Sequence, residues 1–254
     1  MLHLVDAPSP KDRFVTVFGR KPVLEALADR DLRVDKVVLA DNARGAAARE
    51  ILDAASVRSV PVERASAHRV KVLAGNGKQD QGVLADVVAP RMRRLADALA
   101  AGSLSSVLLL DGITTPANVG MILRTATAAG LDGIVVPRRG VASLDPLVVK
   151  ASAGVAFHAP VLRCYTAAEA CSDLRSAGFP VYALSASEST SLFTATLPRR
   201  AAFVLGGETA GISPEVRPSV TDWLSIPLSG GVESLNVASA AAVLCFDLVR
   251  RRTV

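Results

Sequence analysis

Three stretches join polar side chains, glycines and helix starts at spacings suited to chemistry: "LDGITTPANVGMILRTATAAG" (110–130), "FVLGGETAGIS" (203–213) and "IPLSGGVESLNVASAAAVLCFDLVRR" (226–251). In the first, Asn118 offers an amide and Arg124 a permanently protonated guanidinium, groups that orient a polar substrate or stabilise developing negative charge. Asn118 reads equally as a helix N-cap, and Arg124 as a solvated residue on the outer face of an apolar helix. Six residues at about 100° each leave the two about 240° apart, so they are not eclipsed, although arginine is long enough to reach a shared cleft. In the second stretch, Gly206, Gly207 and Gly211 resemble a fragment of a phosphate loop, without GxGxxG register and without a following lysine. They form either a plain turn with Glu208 solvated or a tight loop that brings backbone, and Glu208, close to a small ligand. In the third, Ser234 is a natural N-cap for the helix that follows. Asn236 is harder to explain by capping, being an indifferent helix former in a first turn.

These stretches need elements to hold them at one place. "SSVLLLDG" is a near-continuous apolar run of the kind buried on both faces of a parallel sheet. A helix from Asn118 to Gly130 follows, then a strand "DGIVVP", a helix "AAEACSDLRSAG" and strands "FPVYALSA" and "AAFVLGG". A short helix "PEVRPSV", a strand "WLSIPL" and a final helix from Leu235 to about Arg251 complete the series. Such alternation predicts an open, mainly parallel α/β sheet with helices on both faces, whose ligands sit at the strands' carboxyl ends. The loops there are "DGITTPAN", "GGETAG" and "LSGGVES". Upstream, "VFGRKPVLEALADR" reads as a turn feeding a helix, "VDKVVLA" as a strand, "ARGAAAREILDAASV" as a helix, and "SVPVERA" and "QGVLADVVAP" as strands. This predicts a tail over 1–13, a small α/β domain over 14–90, a bridging segment over 91–103 and the larger domain over 104–254.

Half the residues are apolar and a fifth charged, which suits a sizeable core and excludes a disordered chain. The longest apolar runs are too short to span a membrane, and "MLHLVDAPSPKDRF" lacks the pattern of a secretory signal, so a cytoplasmic protein is expected. Cys164, Cys171 and Cys245 show no CxxC spacing and read as small hydrophobes; His3, His68 and His158 form no ligand pair, so no metal is expected. The net charge is +5; residues 1–103 carry 17 basic against 13 acidic side chains, the remainder 12 against 11. The first part is therefore the more basic, a mild pointer to nucleic acid there.

Taken in order, the three stretches closely resemble the three motifs of the SpoU/TrmH family, RNA ribose 2′-O-methyltransferases that use S-adenosylmethionine. "FGRKPVLEAL" and "QGVLADV" resemble the L30e-like substrate-binding domain of members acting on large-subunit ribosomal RNA. The resemblance implies a SPOUT α/β domain closed by a deep trefoil knot, with the donor against Leu205, Gly206, Ile226 and Leu235. It implies a homodimer packed through the last helix, and a catalytic set of Arg124 supported by Asn118, Glu208, Ser234 and Asn236. Two positions depart from the family pattern. Thr115 stands where aspartate is usual, which removes a charge beside the target site, and Thr209 replaces a usual glycine, which restricts the backbone. The expected activity is methylation of 23S ribosomal RNA. Transfer-RNA methylation, an antibiotic-resistance methylase and an RNA-binding protein that lost catalysis are the alternatives.

Overall fold

The computed structural model describes residues 12–75, 79–185, 190–207 and 209–253. A small four-stranded sheet is built from β1 (Phe14–Phe18), β2 (Val34–Ala40), β3 (Val62–Ala65) and β4 (Val83–Val88), in the order β1-β4-β2-β3. β4 runs antiparallel to β1 and β2, and β3 is parallel to β2. Helices α1 (Arg20–Ala28), α2 (Ala46–Val57) and α3 (Ala67–Ala74) cover it. Alternation along the strands sends Val15, Val17, Val37 and Leu39 into one core with Val23, Leu27 and Ile51 of the helices. Phe18, Val38, Ala40 and Leu84 pack on the other face against Val70 of α3. The helix expected after Phe18 is α1, with Pro22 in its first turn, where a missing N–H costs nothing. The strand β1 ahead of it was not expected from sequence, although Val15 and Val17 carry its period of two.

The large sheet has eight strands in the order β10-β12-β9-β11-β6-β7-β8-β5. Its elements along the chain are β5 (Arg93–Arg94), α4 (Leu95–Ala100), β6 (Ser106–Leu110), α5 (Pro116–Ala128), β7 (Gly133–Pro137), α6 (Pro146–Ala151) and β8 (Val161–Cys164). There follow α7 (Ala167–Ser176), β9 (Val181–Leu184), β10 (Thr190–Ser191), β11 (Ala201–Leu205), β12 (Asp222–Ser225) and α8 (Val237–Thr253). Every strand pair in this sheet is parallel. All carboxyl ends therefore lie along one edge. The apolar run of β6 has the cause the sequence suggested: Leu108 and Leu110 join a core with α5 and α8, while Val107 and Leu109 join another with α4 and α7. The bridging stretch 91–103 supplies β5 at the sheet's edge and α4, whose Leu95 and Ala98 are buried.

Helix ends follow local chemistry. Gly130, at φ 68°, lets the chain leave α5 through paired bonds, Gly130 N–H to Thr127 O at 3.1 Å and Leu131 N–H to Ala126 O at 3.1 Å. Thr166 and Glu169 cap α7 reciprocally. Gly120 lets α5 meet α6: a Cβ there would lie 2.5 Å from Ala151 Cβ and 2.7 Å from the Val148 carbonyl oxygen.

Two expected caps are corrected. Asn118 does not cap α5; Thr115 occupies that position, Pro116 begins the helix, and Asn118 is buried in its first turn. Ser234 does not cap the final helix, which starts at Val237. Asn236 precedes it, and its Oδ1 accepts the Ala238 N–H at 2.9 Å. Proline explains the first shift, because its preset φ favours the first helical position and puts the cap on the residue before it, three upstream of Asn118. At the other end of α8, Arg250 and Arg251 pair with the buried Asp247, and Arg251 also donates to the carbonyls of Leu192 and Ala195.

Candidate active site

A cleft of about 450 Å³ opens at the carboxyl edge of β9, β11 and β12. One wall is the glycine loop after β11: Gly206, Gly207, Gly211 and Ile212. Another is the segment after β12, with Ile226, Leu228, Ser234, Leu235 and Asn236, continued by Val237 and Ala240 of α8. The second and third sequence stretches thus meet across one space.

Sterics dictate glycine in the first wall. A Cβ on Gly206 would stand 2.3 Å from the Gly211 carbonyl carbon, and one on Gly207 would stand 2.5 Å from the Gly112 oxygen. Gly207 and Gly211 exchange two backbone hydrogen bonds, of 3.0 and 2.9 Å, in an isolated antiparallel bridge. Gly211 takes φ 64°, which glycine adopts without strain. The loop is anchored from β6 by Asp111: its N–H donates to the Leu205 carbonyl at 2.9 Å and its buried Oδ2 accepts the Ser213 N–H at 2.7 Å.

Besides Asp111, the first stretch reaches the cleft through Asn118. Asn236 Nδ2 donates to Asn118 Oδ1 at 3.1 Å, across 118 residues of sequence. Asn236 therefore serves twice, its oxygen capping α8 and its amide nitrogen holding α5. Asn118 is 4% exposed.

Of the residues predicted from sequence, Gly206, Ile226, Ser234, Leu235 and Asn236 line the cleft, and Asn118 stands behind Asn236. Leu205 is buried at the end of β11 and forms no part of the wall. Arg124 is exposed, has no hydrogen bond or ion pair among the described residues, and lies outside the wall. Glu208 lies outside the described residues. Sequence reasoning missed Ser185, Arg217 and Trp223, which also line the cleft. It also passed over Asp111, whose signal was a single charge ending the run "LLLDG". The three thiols lie apart from this chemistry: burial pushes Cys164, Cys171 and Cys245 each up to about 12, which keeps them protonated. Among the described residues no cluster of His, Cys, Asp or Glu forms a metal site, and no helix is long and apolar enough to cross a membrane.

Comparison with known proteins gives concordant matches. The model described as the SpoU rRNA Methylase family covers residues 105–246, and that described as RNA 2′-O ribose methyltransferase substrate binding covers 16–93. A Staphylococcus saprophyticus protein assigned to the TrmH family of tRNA/rRNA methyltransferases is 32% identical over 243 residues, 94% of this chain and 96% of that one. The 23S rRNA (guanosine-2′-O-)-methyltransferase RlmB of Xylella fastidiosa is 31% identical over 244 residues, 94% and 97% of the two chains. The structure of the SpoU methyltransferase AviRb from Streptomyces viridochromogenes, solved with S-adenosylmethionine, superposes at TM-score 0.65 with 25% identity, covering 94% and 91% of the chains. The cleft suits that cofactor. Glycine backbone permits close approach, Ile212, Ile226, Leu228 and Leu235 offer apolar walls for an adenine, and Arg217 brings a cation for a carboxylate.

Proposed function

This chain belongs to the SpoU/TrmH family of RNA methyltransferases, with S-adenosylmethionine as cofactor, and from that we propose that it methylates a ribose 2′-hydroxyl of large-subunit ribosomal RNA. The observation that carries the reading is the meeting of the glycine loop and the Ser234–Leu235–Asn236 segment across one cleft, with Asn236 tied back to Asn118. The ribosomal and ribose-directed parts are supported by the Xylella relative and by the substrate-binding match over 16–93.

S-adenosylmethionine supplies a methyl already activated by a positive sulfur, so the protein's work is chiefly to position and to manage charge. Gly206 and Gly207 would border the adenosyl group, Ile226 and Leu235 would pack on it, and Arg217 would hold its carboxylate. Leu205 contributes through the strand end that sets Gly206. Asn236, tied to Asn118 and to the Ala238 N–H, presents a rigid edge to the target ribose. The exposed Ser234 hydroxyl holds the 2′-hydroxyl, whose proton leaves to water at the open mouth of the cleft. Arg124, exposed beyond the cleft wall, is the cation that orients a phosphate of the target strand. Glu208 completes the set at the glycine loop. Thr115 leaves the start of α5 without a carboxylate, which favours approach of a phosphate.

Residues 14–90 serve as the RNA-binding part and 104–254 as the methyltransferase part, joined through 91–103. The protein works in the cytoplasm as a homodimer through α5 and α8, a reading supported by Met121, 41% exposed, and Phe246, 52% exposed.

The test is methyl transfer from labelled donor to deproteinised large-subunit rRNA and to transfer RNA, with 2′-O-methyl positions mapped. Methylation of one rRNA position is expected, reduced about 100-fold or more in Arg124→Ala with donor affinity unchanged. Methylation of a transfer-RNA position alone would overturn the ribosomal assignment, and full activity of Arg124→Ala would overturn the role of that residue.

A further inference from the structure

The carboxyl edge that bears the cleft continues beyond it. From β11 the sheet proceeds through β6 and β7 to β8, three strand intervals, or roughly 15 Å at ordinary strand spacing. The residues that leave β7 and β8 at that edge are Arg138 and Arg139, and Tyr165. Their backbone is held firmly. The parallel ladder runs past the strand ends, with Arg138 N–H donating to the Cys164 carbonyl at 3.0 Å and Arg139 N–H to the Tyr165 carbonyl at 3.1 Å. On its other side Tyr165 abuts Thr166, which opens the reciprocally capped α7.

The side chains there are unusual. The Arg139 guanidinium lies over the Tyr165 ring, 5.7 Å from its centroid. Two other arginine–ring pairs occur among the described residues, and neither presents an open ring: Arg200 covers Phe179, which is 2% exposed, and Phe14 is half-buried under Arg13. Tyr165 is 54% exposed, a large aromatic surface that the fold itself does not use. Arg139 is also exposed and has no acidic partner among the described residues.

The ground beneath this pair is positive. Arg163, on β8, is buried, with Nη1 donating to the Val136 carbonyl at 2.7 Å and Nε without a partner. Burial first, and then the neighbouring Arg138, bring it down to about 10, still protonated at neutral pH. Arg138 pairs with Asp12, and Arg94, the register partner of Arg163 on β5, pairs with Asp97. Glu169 is engaged in capping α7. Counting Arg93 on the same strand, and Asp173, which with Glu169 acts on Cys164 at the end of β8, five arginines here stand against four carboxylates. An unpaired base stacks on an aromatic face or an arginine plane, and its phosphates seek such a cationic surround.

We propose that Tyr165 and Arg139 form a stacking subsite for an unpaired RNA base flanking the nucleotide held in the cleft, with Arg139 also contacting the adjoining phosphate. The subsite rests on the reading that RNA is the substrate and adds where the strand runs: along the carboxyl edge, from the glycine loop over β6 and β7 to the end of β8.

The experiment uses the full chain and three variants, Tyr165→Ala, Tyr165→Phe and Arg139→Gln. Fluorescence anisotropy of a labelled, mixed-sequence single-stranded RNA gives affinity, and methyl transfer to deproteinised large-subunit rRNA gives KM and kcat. Tyr165→Ala should raise Kd and KM about five- to tenfold, the lower part of the range for a base–aromatic stack because the site is open, with kcat at saturating RNA retained. Tyr165→Phe keeps the ring and should bind like the wild type. Arg139→Gln should lower the slope of log affinity against log salt by about 0.7, one single-strand phosphate contact. Calorimetric donor binding checks that each variant is folded. Independently, the unsubstituted protein irradiated with 4-thiouridine-substituted RNA should cross-link at the peptide carrying Tyr165. Wild-type methylation with Tyr165→Ala unchanged in Kd and KM would overturn the subsite and leave the proposed function standing, turning attention to a protein partner for this patch. Absence of the cross-link would count equally against it. A wild type that neither binds nor methylates RNA would overturn both.

Discussion

Replacing Asn236 tests the link between helix capping and the cleft most directly. The bonds lost in Asn236→Ala include the cap on the Ala238 N–H at 2.9 Å and the donation to Asn118 Oδ1 at 3.1 Å. Loss of an asparagine cap costs about 1 kcal/mol. Asn118 is 4% exposed, so depriving its oxygen of this donor costs about a further 1 kcal/mol, held to the low end because Asn236 itself lies at the surface. The sum, about 2 kcal/mol, lowers Tm by about 4–8 °C for a chain of this length. Asn236→Ser separates the terms: serine still caps α8 but is too short to reach α5, so about half the loss should return. A double-mutant cycle with Asn118→Ala should leave a coupling energy of about 1 kcal/mol, above the error of additivity. Urea melts give these energies, and calorimetry of S-adenosylmethionine binding reports the cleft, where donor affinity should fall with the α5 bond and not with the cap alone. If the alanine and serine variants were equally stable, the capping role would be wrong. If the cycle closed additively, the Asn–Asn bond would carry no energy and the cleft would owe its shape to something else.

Three further outcomes follow from the geometry. Gly207→Ala places a methyl 2.5 Å from the Gly112 oxygen, a backbone atom that cannot yield cheaply, so donor binding measured by calorimetry should be lost while the far-UV spectrum is retained. The thiols of Cys164, Cys171 and Cys245 are raised by burial from 9.0 to about 12, so their protonated form stabilises the fold below about pH 9. That contribution is lost as pH rises from 9 toward 12, by up to about 1.4 kcal/mol per pH unit for each thiol; urea melts at about pH 8 and about pH 10.5 that coincide would refute it. Phe246→Asp puts a charge on the exposed apolar side of α8, and if α8 carries the proposed homodimer, sedimentation should show the wild type as a dimer and the variant as a monomer.

The sequence made the large sheet legible because burial on both faces leaves an unmistakable mark. Val107 to Leu110 are apolar without interruption, and successive residues enter opposite cores. β5 and β10 were invisible because two residues carry no period, and β8, with Arg163 inside it, breaks the apolar pattern. β1 had its alternation but ran straight into a turn with glycine and proline, which drew the eye to α1. At the site, the residue types were readable and the roles only in part. Capping is a local rule and assigned Asn118 and Ser234 to the nearest helix ends, whereas the bond that matters joins Asn118 to Asn236 across the whole domain. No spacing rule encodes such a contact. The angle between Asn118 and Arg124 showed that they are not eclipsed, and the structure buries the first while leaving the second exposed and outside the cleft wall. Tyr165 fell in a stretch with no recognised element, so its exposure could not be foreseen.

The reciprocal bridge between Gly207 and Gly211 has a spectroscopic consequence. Each residue's amide is locked to the other's carbonyl, so neither proton can exchange with solvent unless the ring opens as a unit. Their two exchange rates should therefore move together. Glycine amides resonate in an uncrowded part of a nitrogen–proton correlation spectrum, so this pair forms a natural two-site gauge at the wall of the cleft. Matched slowing of both signals on adding donor would measure how far the ligand closes the loop, without any label attached to the protein surface.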